Sequence, residues 1–166
     1  MRSIIGFPNP VNEKAARTVA AGVAVLAVVV LVTGWHWLIA LLALGFLARV
    51  LTGPRLSPLG QLATRVIAPR LGEPKLVPGP PKRFAQTVGL VFTASAAVLS
   101  LGFGQRAIAI GLMVVLLAFA LLESVLGFCA GCWAFGHLMR LGLIPEETCE
   151  ACNDIRLRRP QGATVV

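Results

Sequence analysis

Hydrophobic positions in this chain do not alternate with polar ones; they run together in long blocks with the polar residues gathered between them. From Ala15 to Thr33 only Arg17 is charged. A run of about 17 to 20 such residues is enough to cross a hydrocarbon core of roughly 30 Å. Asn9 suits a helix cap and Pro10 a first helical position, so the first helix is expected to begin there. No small-residue cleavage site follows the run, so it reads as a retained span and not as a signal peptide. Further apolar blocks cover residues 36–51, 84–102 and 107–128. The expectation is an all-α protein, a four-helix transmembrane bundle with spans at about 15–33, 36–51, 84–102 and 107–128.

The connections differ sharply in character. Gly34, Trp35, His36 and Trp37 form a minimal uncharged turn, and tryptophan favours the membrane interface. Gly102 to Arg106 make a second short turn. Between the second and third blocks lies a long loop, residues 52–83, carrying Arg55, Arg65, Arg70, Lys75, Lys82 and Arg83 against one acid, Glu73. Within it Leu59, Leu62, Val66 and Ile67 recur at helical spacing between Pro58 and Pro69, which predicts a short interfacial helix on the membrane surface. The segment EPKLVPGPPKR after it reads as an extended strap, since proline and glycine disfavour a helix there. Arg49 is placed to snorkel toward headgroups. Gly89, Ala94, Ala96 and Ala97 offer a small face for close helix approach.

Composition supports the membrane class and fixes an expected orientation. Of 166 residues, 57% are hydrophobic and 13% charged, and the mean hydropathy is +0.82, outside the range of ordinary soluble domains. The net charge of +8 resides mostly between the apolar blocks. It is therefore assigned to orientation and to anionic lipid headgroups, with no nucleic acid as partner. The positive-inside rule puts the basic loop and both termini in the cytoplasm of a multi-pass protein of the cell inner (plasma) membrane. Residues 1–154 then form one integral-membrane domain, and 155–166 a basic, flexible tail.

All the chemistry that stands out lies near the end of the chain. The four cysteines form two Cys-x-x-Cys pairs, Cys129 with Cys132 and Cys149 with Cys152, in an expected C-terminal cysteine module over 129–154. The first pair is flanked by Phe128 and Trp133, the second by Glu146, Glu147, Glu150 and Asp154. The spacing C-x2-C-x16-C-x2-C falls in the range of a four-thiolate zinc site. If Cys129 to Leu143 were one straight helix of roughly 21 Å, the six remaining steps to Cys149 would reach back about 21 Å at most. A shared ion would need a break, for which Gly131 and Gly136 are candidates. Alternatively each pair is a two-electron station that forms and resolves mixed disulfides. The apolar setting of the first pair predicts neutral, slow thiols unless a neighbour stabilises the thiolate, and His137 and Arg140 are the nearest in sequence. Buried packing of the first pair is the third alternative.

Glu123 is the acid embedded in an apolar block, and an ionisable group at such depth is costly and points to function. It is expected to be protonated, or paired with Arg49 or Arg17. A proton-transfer role beside the dithiol is one reading and a register-fixing hydrogen bond the other. On an uninterrupted helix Glu123 and Cys129 would lie roughly 240° apart and share no face. His137 is a weaker candidate, as base or metal ligand.

The stretches FPNPVNE, GPRLSPLGQLATRVIAPRLG, VPGPPKRFAQ, ESVLGFCAGCWAFG and ETCEACN together resemble the actinobacterial integral-membrane family catalogued as domain of unknown function 4395. The likeness covers nearly the whole chain and includes all four cysteines. Relatives in that family tend to stand beside thioredoxin-like and rhodanese-like proteins, which implies traffic in thiols or sulfur with such a partner. The function expected from residues and resemblance is a membrane-embedded thiol/disulfide or sulfane-sulfur relay, with Cys129, Cys132, Cys149, Cys152 and Glu123 as its working residues. One alternative is a structural zinc protein or scaffold without catalysis. The other is a quinone-linked disulfide oxidoreductase, a mechanism that requires the cysteines outside, against the charge rule.

Overall fold

The structure is a computed structural model, and it describes residues 7–145. It is almost wholly helical, with one short antiparallel ribbon. Strand β1 (Val11–Asn12) leads into helix α1 (Glu13–Thr33), followed by α2 (Trp37–Thr52). A short helical stretch over 58–70, α3, follows, then strand β2 (Leu76–Val77) and helix α4 (Gly79–Gly102). Helix α5 (Arg106–Leu126) and helix α6 (Ala130–Arg140) complete the described chain. The last turns of α4 and α5, Val98–Gly102 and Leu122–Leu126, and the middle of α3, Ala63–Ile67, widen to π geometry.

Among the described residues, α1, α4 and α5 are long and apolar enough to cross a membrane. Helix α2 is apolar but 16 residues long, about 24 Å at 1.5 Å per residue. The outward surfaces of these helices are greasy. Val25, Val28, Leu44, Val91, Val114 and Val115 are all exposed, a pattern that water would penalise and lipid would not. The protein is consistent in this with a membrane protein.

The core is made of small and branched residues. Ala27, Ala96, Ala109, Ile39 and Met113 are fully covered where the helices meet. A Cβ on Gly89 would overlap the Phe46 ring, so the close approach of α4 to α2 depends on that glycine, as the small-residue pattern predicts. Helix α3 packs on α1, with Ala63 and Ala68 in the shared core and Gly60 close against Pro54. Leu62 and Val66 of its apolar stripe stay exposed, and Leu59 lies over Gly22.

Both ends of the bundle are defined by what gathers there. Turns 34–36 and 102–105 form one end, where Trp35 and Trp37 stack at 6.4 Å. At the other end Lys75 pairs with Glu13 at 2.6 Å, Lys14 donates to the Leu71 carbonyl at 2.7 Å, and Arg17 donates to the carbonyls of Ser124 and Val125. That end collects the starts of α1 and α4, the ends of α2 and α5, and the basic loop.

Several expectations are corrected here. Helix α1 starts at Glu13 with Asn12 as its cap, accepting from the Lys14 amide at 3.1 Å, and not at Pro10. Asn9 instead caps α4, accepting from the Gly79 amide at 3.0 Å. The strap ends earlier than expected. Leu76–Val77 pair with Val11–Asn12, and Gly79–Pro80–Pro81 already form the first turn of α4, where a proline's missing N–H and fixed φ are compatible with a helix. Arg49 does not snorkel: it is buried, donates to Gln86 Oε1 at 2.8 Å and Ser57 Oγ at 3.2 Å, and lies over the Phe46 ring.

Candidate functional site

The site is assembled by a break in the chain that apolar patterning conceals. Helix α5 ends in a wide turn, where the Gly127 amide donates to the Glu123 carbonyl and the Phe128 amide to the Leu122 carbonyl. Gly127 then takes φ 69°, a left-handed conformation that glycine adopts without steric cost. Cys129 is extended at the N-cap position, and α6 begins at Ala130. The break therefore falls at Gly127, ahead of the first pair and close to the expected end of the fourth span, while α6 runs unbroken through Gly131 and Gly136, so neither glycine supplies the break that a shared ion would need.

Gly131 has another use. A Cβ there would press on the Cα and Cβ of Ala85, so its absence lets the first turn of α6 rest directly on the first turns of α4. Phe135 and Met139, one helical face further along, are buried, and Phe135 packs on Phe84 of α4 with ring centroids 5.7 Å apart. Cys132 shares that face by its spacing of three from Phe135.

Seating α6 on α4 brings Cys129 and Cys132 to Lys82, on the first turn of α4. Lys82 is buried and donates to Glu123 Oε1 at 2.6 Å. The Glu123 partner is thus Lys82, and neither Arg49 nor Arg17. Because the helix ends at Gly127, the 240° separation of a straight helix does not apply, and the charges of both Glu123 and Lys82 act on the two sulfurs. The Cys132 thiol donates to the Cys129 sulfur, and this holds Cys129 below the ordinary thiol range. The Lys82 ammonium adds to the effect; burial and the Glu123 carboxylate oppose it. Cys132 is pushed up, first by donating to Cys129 and then by burial. Cys129 also stands at a helix N-terminus, where the backbone dipole favours negative charge.

His137 takes no part in this group. It is exposed, stacks on Trp133 at 4.1 Å and shares a 3.1 Å hydrogen bond with the Trp133 carbonyl. The thiolate-stabilising neighbour is Lys82, in place of the expected His137 or Arg140. Lys82 could have been found from sequence only by letting the helix start at the prolines, which places it on the first turn instead of in the basic loop. Cys149 and Cys152 lie outside the described residues, as does the 146–154 part of the expected 129–154 module. Cys129 and Cys132 are not disulfide-bonded, and among the described residues no three His, Cys, Asp or Glu side chains are grouped to hold a metal ion.

Two cavities meet at the dithiol. A polar cleft of about 540 Å³ is lined by Lys75, Lys82, Cys129, Cys132 and Arg140 among others. An apolar cavity of about 250 Å³ extends from Glu123 and Cys129 into the helices, between Phe46, Phe84, Phe92 and Phe119. Cys129 belongs to both walls.

Helices with exposed apolar faces around a thiol pair seated on a buried Lys–Glu ion pair define a helical, membrane-type protein with a candidate dithiol site. Residues 11–140 match the family described as Domain of unknown function (DUF4395), and the chain belongs to that family. No curated protein and no solved structure matches the chain.

Proposed function

We propose that the protein is a multi-pass membrane dithiol relay in which Cys129 is the attacking thiolate and Cys132 the resolving thiol. The observation that supports this reading is the placement of the pair: Cys129 stands at the N-cap position of α6 and lines one polar cleft with Cys132 and the buried, Glu123-paired Lys82. In the forward step the Cys129 thiolate attacks a sulfur of a partner disulfide, forming a mixed disulfide and releasing one partner thiolate. Cys132 loses its proton, attacks the Cys129 sulfur and releases the second thiolate, leaving a Cys129–Cys132 disulfide and a partner reduced by two electrons. The same geometry run backwards oxidises a partner dithiol. A sulfane sulfur delivered to Cys129 as a persulfide would be expelled as hydrosulfide when the Cys132 thiolate attacks the Cys129 sulfur, leaving the same Cys129–Cys132 disulfide.

In this reading α2 is the fourth span, the basic end of the bundle faces the cytoplasm and anionic headgroups, and both termini lie on that side. Cys149 and Cys152 would be the outer pair, exchanging with a soluble thioredoxin-like or rhodanese-like protein. Glu123 and Lys82 hold and move the proton that accompanies the thiol chemistry. The C-x2-C-x16-C-x2-C spacing supports a second reading, a structural four-thiolate zinc site.

Thiol counting and elemental analysis of the purified full chain test both. The relay predicts that mild reduction exposes all four thiols to alkylation. It also predicts that Cys132→Ser accumulates a mixed disulfide with a small disulfide probe, while Cys129→Ser does not. Zinc at one ion per chain with four alkylation-resistant sulfurs would overturn the relay in favour of the metal site.

A further inference from the structure

The apolar cavity behind Cys129 is not needed to exchange disulfides with a soluble partner, which reaches the sulfurs through the polar cleft. Its walls describe a ligand. Phe46, Phe84, Phe92 and Phe119 line it, Phe92 and Phe119 meet edge to face at 6.3 Å, and its polar end carries Glu123 and Cys129. Phe119 is 40% exposed on the outer surface of α5, so one wall of the cavity also belongs to the greasy face of the bundle. At about 250 Å³ it lies just under the roughly 300 Å³ where small-molecule sites commonly begin. It has room for one ring and not for a large cofactor. An acyl chain would fill the space but offer no polar group to the cavity's polar end, where Glu123 has Lys82 as its ion-pair partner. A planar ring with a polar edge satisfies both the aromatic walls and the carboxyl.

We infer that this cavity binds the headgroup of a lipid-soluble quinone, which exchanges two electrons with the Cys129–Cys132 pair from the membrane side while thiol partners use the polar cleft. This rests on the dithiol reading above and names its membrane acceptor. The reaction balances within the site. An S–S bond forms between Cys129 and Cys132, and its two electrons reduce the ring to the quinol. The quinol oxygens gain two protons, one from the Cys132 thiol and one first lost by Cys129 and returned through Glu123. Access from within the bilayer frees this chemistry from the requirement that the cysteines lie outside the cell.

The test uses the purified full chain in nanodiscs, reduced and freed of reductant. A fully substituted short-tailed benzoquinone is the probe, since it has no free ring position for thiol addition. The expected result is quinol formation, followed by ultraviolet absorbance, in one-to-one stoichiometry with loss of the Cys129 and Cys132 thiols. Val88 lines the cavity and is only half-buried, so Val88→Trp should fill the space. Its rate with quinone should fall about tenfold, the equivalent of about 1.4 kcal/mol of lost binding. Its oxidation by a water-soluble aromatic disulfide should not change, which also serves as the check that the variant is folded. Should the soluble disulfide oxidise the wild-type pair and the quinone fail to, the quinone site is overturned and the relay stands. Failure of both oxidants removes the dithiol reading itself. Equal quinone rates in wild type and Val88→Trp would place the reaction elsewhere and also overturn the inference.

Discussion

At the scale of single residues, the chemistry depends on the unequal surroundings of two adjacent thiols and on one buried ion pair. Cys129 is held below the ordinary thiol range by the Cys132 thiol and, more weakly, by Lys82, against burial and Glu123. Its thiolate therefore forms at lower pH than a free cysteine's. The pH profile of its alkylation should have its midpoint below that of a free cysteine, while Cys132 stays unreactive until Cys129 is blocked. Lys82→Gln should raise that midpoint and Glu123→Gln should lower it; shifts of the same sign in both variants would show that the ion pair does not act on the sulfur. The pair also matters to stability, because Lys82 and Glu123 side chains are only 8% and 15% exposed. Removing one partner leaves an uncompensated charge, which costs about 3–5 kcal/mol, whereas replacing both by apolar groups is often neutral. Lys82→Met and Glu123→Leu should each lower the detergent melting temperature strongly, and the double variant should recover most of the loss. Additive losses in that cycle would refute the coupling.

Among the elements, the turn at Gly127 decides where the dithiol goes. An Ala there must adopt the left-handed conformation at about 1–2 kcal/mol, with its Cβ about 3.4 Å from the Arg17 guanidinium. Gly127→Ala should thus cost stability of that order and slow Cys129 alkylation, because α6 is re-aimed away from α4. Unchanged alkylation would mean that α6 is positioned by Phe135 and Met139 alone. Arg17→Gln should weaken the same corner by uncovering the Ser124 and Val125 carbonyls, and its effect should not add fully to that of Gly127→Ala. This corner also marks what could be read from sequence. The long apolar blocks, the uncharged turns, the helical stretch between Pro58 and Pro69 and the small face at Gly89 were legible, since each is a run or a local period. The seating of α6 on α4 was not. A single glycine between Leu126 and Phe128 leaves the hydrophobic pattern unbroken, and the contact that seats α6, Gly131 on Ala85, joins residues over forty positions apart. Lys82 was hidden for a related reason: prolines that look like strap residues also serve as a helix's first turn.

For the whole molecule, the described residues sort charge between the two ends of the bundle. Arg55, Arg65, Arg70 and Lys75 lie with the dithiol, and Arg106 is the basic residue of the opposite turns. This asymmetry drives orientation more strongly than net charge does. In the orientation proposed above, the polar cleft, with Lys75, Lys82 and Arg140 on its walls, would face the cytoplasm, where glutathione and thioredoxin keep dithiols reduced. Gln105 and Glu73 are exposed at opposite ends, so Gln105→Cys and Glu73→Cys report orientation directly. With an impermeant maleimide on intact cells and site-resolved mass spectrometry, the cysteine at 105 should be labelled from outside. The cysteine at 73, together with Cys129 and Cys132, should be labelled only after the cells are opened. Outside labelling at 73 and not at 105 would invert the bundle and hand the polar cleft to extracytoplasmic partners. The proposed quinone site would keep its place under either orientation, since a lipid-soluble ring would reach it from the bilayer.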